Sequence, residues 1–346
     1  MIRFECDYAE GAHPFVLERL VQTNFKQTKG YGEDDYCTHA RRLIRQICDC
    51  PSADVHFFVG GTQANKTVIS SILRPHQGVV SATTGHINVH ETGAIEATGH
   101  KVLALATENS KLSASQVEQV YLDHWNDVNH EHIVQPGMVY ISNPTEEGVI
   151  YSKSELQALS DTCRKYKLPL FMDGARLGYG LAAENNDLTL PDLARMCDVF
   201  YIGGTKVGAL FGEALVITTD KLKTDFRYFI KQHGGMLAKG RLLGLQFETL
   251  FTDGLYFEIA RHAVQMAMRI RNAFSAKGFA FLRESPTNQQ FPILTTDQIE
   301  ALSRTYAFEQ WTKIDDRHTA VRFCTSWATR EEDVVQLIND IDKMDQ

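Results

Sequence analysis

Short apolar runs alternate with stretches of helical periodicity along most of this chain, and few folds accept that order. Residues 55–59, 78–82, 99–105, 137–142, 168–172, 199–202 and 213–218 read as strands. A helix over about 37–47 precedes them, and between them fall one from the turn at Gly60 and Gly61 to near Leu73, one over 113–125, and one opened by the capping box of Ser152 and Glu155 that runs to about Tyr166. Pro14 suits the first turn of a further short helix, ending near Val21. Such alternation predicts an α/β fold with a mostly parallel, seven-stranded sheet covered on both faces. Ligands then bind at the carboxyl ends of the strands.

The pattern changes toward the C-terminus. A long helix over about 255–277 stops at Gly278, a natural C-cap. After it, short strands at 279–282, 291–294 and 321–325 alternate with helices near 297–306 and 330–344. We expect two domains: a large α/β domain over residues 1–250 that includes the N-terminal segment, and a small α+β domain over 251–346.

Composition excludes several partners. The net charge is -8 with no Lys- or Arg-rich run, which argues against nucleic acid, because neutralising phosphates needs a basic surface. No stretch approaches the roughly 20 apolar residues of a membrane-spanning helix, and the first seven residues, MIRFECD, lack the apolar core of a signal peptide. A soluble, cytoplasmic protein is expected. The seven cysteines are odd in number and show no CxxC pair, so they read as free thiols, with neither a disulfide framework nor a metal site indicated.

Chemistry concentrates where strands end. Gly60-Gly61-Thr62-Gln63-Ala64-Asn65 turns a strand into a helix, so free backbone N–H groups and the helix dipole converge on one spot, an arrangement suited to phosphate as well as to a simple turn. This segment is one residue short of the P-loop pattern, with Asn65 where the second glycine belongs; that glycine lets the loop wrap phosphates, so the near miss reads as chance. His86 and His90 stand four apart with Glu91 adjacent, but Ile87 and Val89 occupy the places a zinc peptidase gives to its glutamate. Asp173 ends an apolar strand and needs a cation or a protonated nitrogen; Arg176 is the local candidate, a ligand the other. Lys206 lies between two buried strands behind Gly203, Gly204 and Thr205. It is either a loop lysine reaching water or a desolvated amine able to form a Schiff base. Arg322, inside an apolar strand, needs an anion.

Taken together these are the parts a pyridoxal phosphate enzyme requires: a helix end for phosphate, an amine for the aldehyde, an acid for the ring nitrogen and an arginine for an amino-acid carboxylate. The sequence resembles the threonine aldolase and β-eliminating lyase family of fold-type I pyridoxal phosphate enzymes along nearly its whole length. The likeness is carried by Cys6-Asp7, Tyr31-Gly32-Glu33-Asp34, Gly61 to Asn65, His86 to Glu91, the DGAR segment from Asp173 to Arg176, Thr205-Lys206, Gly234-Gly235 and Arg322.

The resemblance implies that Lys206 bonds the cofactor's aldehyde, Asp173 pairs with its ring nitrogen and His86 stacks on the ring. Gly61 and Thr62 would hold its phosphate, Thr205 and Arg176 would also contact the cofactor, and Arg176 and Arg322 would hold the substrate carboxylate. It implies retro-aldol cleavage of a β-hydroxy amino acid such as L-threonine to glycine and an aldehyde. It also implies a homodimer or homotetramer with shared sites, into which Tyr31 and Lys239 or Arg241 enter from a neighbour. Two positions depart from the family. Glu146 stands where many threonine aldolases have a histidine, which leaves Glu91, then His86, as candidate base. Cys6 stands where a serine often helps to hold the carboxylate, and a thiol is the weaker donor. A β-eliminating lyase, a phenylserine aldolase, an aminotransferase or a cofactor-binding module without catalysis would use similar parts.

Overall fold

The computed structural model describes residues 1–344. Seven strands form the main sheet, in the spatial order Asp54–Phe58, Glu213–Ile217, Val199–Gly203, Leu170–Asp173, Gln135–Ser142, Gln77–Ala82 and Lys101–Leu105. All neighbours run parallel except Glu213–Ile217, which is antiparallel to both strands beside it. The inner strands are buried on both faces, and their side chains alternate between two cores. Phe57, Val139, Ile141, Met172, Phe200 and Val216 pack to one side. Phe58, Met138, Tyr140, Phe171, Tyr201 and Leu215 pack to the other. A one-residue slip in any of these strands would exchange its two faces, so pairing register is tightly specified.

A second assembly gathers the C-terminal elements. Strands Ile293–Thr295 and Glu309–Lys313 flank His318–Cys324 antiparallel, and Gln289–Gln290 extends the pairing. Helices Leu255–Ala276 and Glu331–Asp342 cover this sheet, with Ile270, Phe274, Val321, Phe323, Leu337 and Ile341 at its core. Phe4 joins the same core, because Ile2–Arg3 pairs in parallel with Tyr306–Ala307.

Several elements differ from the sequence expectation. Residues 279–282 form only an isolated bridge, Phe281 to Pro292. Glu309–Lys313, reading Glu-Gln-Trp-Thr-Lys, is an edge strand whose polar composition concealed it. Helices Leu190–Met196, Phe226–Gln232 and Arg241–Phe251 were not foreseen. The last is buried around most of its circumference and so lacks a clean polar face. Among the described residues no helix is long and apolar enough to cross a membrane.

Candidate active site

The carboxyl ends of the parallel strands open onto a cavity of about 930 Å³, whose walls include Gly61, His86, Asp173, Lys206, Glu213 and Arg322. Close backbone approach makes this convergence possible. Gly203 donates its N–H to the Gly174 carbonyl at 2.9 Å. A Cβ at Gly174 would lie 1.9 Å from the Tyr201 carbonyl oxygen, and one at Gly203 would lie 2.2 Å from that of Ala175. Two glycines therefore let the segment after Asp173 lie against the segment leading to Lys206.

Lys206 sits on a tight return between strands. The N–H groups of Gly204 and Thr205 both donate to the Gly212 carbonyl, at 2.9 and 3.0 Å, and the Tyr179 hydroxyl donates to the Lys206 carbonyl. The side chain lines the cavity instead of running out over the surface. Burial and then the nearby Arg176 guanidinium push its amine below the ordinary lysine range, against the opposing charges of Asp7, Asp173 and Glu213. Glu213 opens the next strand and is buried. Its carboxyl accepts from the Thr205 hydroxyl at 3.0 Å and the Gly204 N–H at 3.2 Å. Burial raises its pKa to about 8, with the Lys206 charge and these hydrogen bonds acting the other way.

Asp173 is 4% exposed and fully engaged. Its Oδ2 accepts from the Tyr140 hydroxyl at 2.6 Å and the Asn65 amide at 3.1 Å, and its Oδ1 from the Ala175 N–H at 3.0 Å. Burial would raise its pKa, but the His86 charge and the hydrogen bonds from Tyr140, Tyr201 and Ala175 hold it below the ordinary carboxylate value. Of the two partners open to Asp173, the local one, Arg176, is not paired with it. Arg176 instead makes a two-pronged pair with Asp7, Nε to Oδ2 at 2.7 Å and Nη2 to Oδ1 at 3.0 Å, and Asn288 donates to the same carboxylate at 2.9 Å. Asp7 comes from the N-terminal segment, which spacing within DGAR could not reveal.

His86 opens the short helix His86–Val89. Its Nδ1 lies 2.8 Å from Glu91 Oε1, which also accepts from the Asn65 amide at 2.7 Å. With that oxygen acting as acceptor, Nδ1 carries the proton and Nε2 is the ring's remaining acceptor. Burial alone would depress the His86 pKa; the Glu91 hydrogen bond and the charges of Asp173 and Glu91 outweigh it and hold the value above that of an ordinary histidine. Glu146 is buried beneath this turn, and its Oε1 accepts from the His86 N–H at 2.8 Å and the Ser142 hydroxyl at 2.6 Å. Burial raises its pKa despite the Ser142 hydrogen bond.

Across the cavity, Arg322 pairs with the Glu309 carboxylate, donates to Gln289 Oε1 at 3.2 Å and the Glu5 carbonyl at 3.0 Å, and lies 5.0 Å from the centre of the Trp311 ring. Cys6, Thr62 and Thr205 also line the cavity. Tyr31 and Lys239 do not reach the cavity of their own chain. Tyr31 lines a separate small cleft, with the Lys231 ammonium 5.2 Å from its ring centre, and Lys239 is exposed. Arg241 hydrogen-bonds Thr23 and Asn24. Asn65, Tyr140, Glu213 and Glu309 had not been singled out for the site. In the sequence Asn65 stands out only as part of the Gly61 to Asn65 segment and as the misfit in a phosphate loop, and Glu213 only as the first residue of the strand over 213–218.

The arrangement matches known proteins at two levels. By fold, the chain superposes on histidinol-phosphate aminotransferase from Clostridium acetobutylicum with a TM-score of 0.75 at 12% identity, covering 99% of this chain and 98% of that one. The fold is therefore that of the fold-type I enzymes. By sequence, the β-eliminating lyase family profile matches residues 14–297. The low specificity L-threonine aldolase of Pseudomonas sp. (strain NCIMB 10558) is 30% identical over 344 residues, 98% of this chain and 96% of that one. The solved Leishmania major threonine aldolase superposes with a TM-score of 0.96 at 43% identity, covering 99% of both chains. The chain belongs to the threonine aldolase and β-eliminating lyase family.

Proposed function

We propose that this protein is a pyridoxal phosphate-dependent aldolase that cleaves L-threonine or L-allo-threonine to glycine and acetaldehyde. The observation that carries the reading is the meeting of a desolvated lysine, an ionised buried aspartate and an arginine on the walls of one cavity. The residues fit the cofactor. Lys206 offers an amine, Asp173 a carboxylate for the ring nitrogen, and the start of helix Gly61–Ile72 offers the N–H groups of Gly61 and Thr62 for the phosphate, with Thr205 nearby. When bound, pyridoxal phosphate supplies an aldehyde that takes up the substrate amine and a conjugated ring that accepts the electrons of the broken Cα–Cβ bond.

The chain supplies everything else. Arg322, with Arg176 and Cys6 lining the same cavity, holds the substrate carboxylate and so fixes which bond at Cα stands ready to break. The order of candidate bases read from the sequence is reversed, because Glu91 is buried with its Oε1 on His86 and Asn65 whereas His86 lines the cavity. His86 Nε2 takes the β-hydroxyl proton, while Glu91 holds the opposite ring nitrogen and stabilises the charge the imidazole acquires. Glu91 is the second candidate for the base, acting through His86 or a water. Glu146 anchors the turn that carries His86. Lys206 would hold the cofactor through an amine whose neutral form its surroundings favour.

Tyr31 and Lys239 are assigned to the site of a neighbouring copy in a homodimer or homotetramer. Their positions outside their own cavity support that role. The test is the visible spectrum of the purified protein and of its Lys206→Ala variant, followed by L-threonine and assays for both products. A lysine-dependent absorption band and release of glycine with acetaldehyde are expected. Release of ammonia or a keto acid would move the function to a lyase or aminotransferase, and a protein that stays colourless with added cofactor would end the reading.

A further inference from the structure

Arg322 is already committed at the one nitrogen a second carboxylate would need. Its Nη2 donates to the Glu5 carbonyl at 3.0 Å and pairs with Glu309, which uses both of that nitrogen's protons. Its Nη1 donates to Gln289 at 3.2 Å, and its buried Nε has no partner. A guanidinium grips a carboxylate in two-pronged fashion through Nη1 with Nη2 or through Nε with Nη2. Both forks include Nη2. An incoming carboxylate therefore gains a full grip on Arg322 only if Glu309 lets go.

Glu309 is placed to do so. It belongs to the edge strand Glu309–Lys313, just before a register shift between Gln310 and Thr312, and its side chain is 43% exposed. It can move into water at little cost. Arg322 would not lose its position in the exchange, since Gln289, the Glu5 carbonyl and the Trp311 ring still hold it. We propose that Glu309 is an intramolecular competitor for the substrate carboxylate: it occupies Arg322 until an amino acid displaces it, and so weakens substrate affinity and lowers the hold on small product acids. This rests on the assignment of Arg322 as the carboxylate seat.

The experiment measures glycine binding to the cofactor-loaded protein by calorimetry, together with the KM for L-threonine. Glu309→Gln and Glu309→Ala should each tighten glycine binding, and lower KM, by about two- to five-fold, the range for a partly exposed ion pair. Damage to the strand or to the placement of Arg322 would weaken binding instead. Arg322→Gln separates the two assignments. If it leaves the glycine Kd unchanged, the carboxylate does not sit on Arg322 and both readings fall. If it weakens binding while both Glu309 variants bind glycine no more tightly than the parent, the competitor proposal alone is overturned.

Discussion

Asp7 grips Arg176 with both carboxylate oxygens, at 2.7 and 3.0 Å, across 169 residues of chain. The carboxylate is fully buried, and breaking one side of such a pair strands the other charge away from water. Asp7→Asn should destabilise the protein by about 3–5 kcal/mol in urea unfolding. Burial would raise the Asp7 pKa, but the Arg176 and Lys206 charges hold it below the ordinary carboxylate value. The pair's contribution is therefore present above the ordinary value and lost as pH falls through the depressed one. An Asp7→Asn protein as stable as the parent, with the same acid limb, would rule this out.

Glu91→Gln tests the hydrogen bond that sets the His86 tautomer. Removing the charge should let burial dominate, so the His86 pKa falls, which nuclear magnetic resonance of the imidazole would follow directly. In the parent the raised value means that this interaction stabilises the fold below the ordinary histidine pKa and is lost as pH rises through the folded one. An unmoved titration would show that Glu91 does not control the ring.

Glu213→Gln should make Lys206 more reactive in the cofactor-free protein. The charges acting on that amine are those of Arg176, Asp7, Asp173 and, above its own pKa of about 8, Glu213, so the substitution leaves the ammonium less stabilised on the alkaline side, where Glu213 is ionised. The pH profile for modification of Lys206 by a neutral acylating reagent, read by mass spectrometry, should move to lower pH. The single amide oxygen of glutamine can still accept from the Gly204 N–H while its NH2 donates to the Thr205 hydroxyl oxygen, so the loop survives the change.

Gly174→Ala and Gly11→Ala form a contrasting pair. The new Cβ at 174 meets the Tyr201 carbonyl at 1.9 Å, and one at 11 meets nothing within 4 Å. Thermal unfolding should show a loss of about 1–3 kcal/mol or failure to fold for the first, and a change within about 0.5 kcal/mol for the second.

The sheet was legible in the sequence because strands buried on both faces read as apolar runs, punctuated by glycine or a capping residue. Lys206 and Asp173 were legible for the same reason: a charge at the end of an apolar run is costly without a purpose. Asn65 was opaque, since it bonds Glu91 and Asp173, 26 and 108 residues away, and only the sheet order brings them together. The Asp7–Arg176 pair was opaque because its members stand 169 residues apart, and the sequence offers only Asp173 as a local partner for Arg176. Glu309 was hidden in a strand too polar to register as one.

The N-terminal seven residues act as a seam between two bodies of structure. Ile2 and Phe4 donate to the carbonyls of Thr305 and Ala307, the Phe4 carbonyl accepts from Cys324, the Glu5 carbonyl steadies Arg322, and Asp7 holds Arg176. Clipping this stretch with a protease, or fusing an affinity tag to it without a spacer, would loosen a cavity wall at two arginines without removing either of them. Activity would then report on the integrity of the seam, and an engineered variant with a ragged start would look catalytically impaired while still carrying Lys206, Asp173, His86 and both arginines.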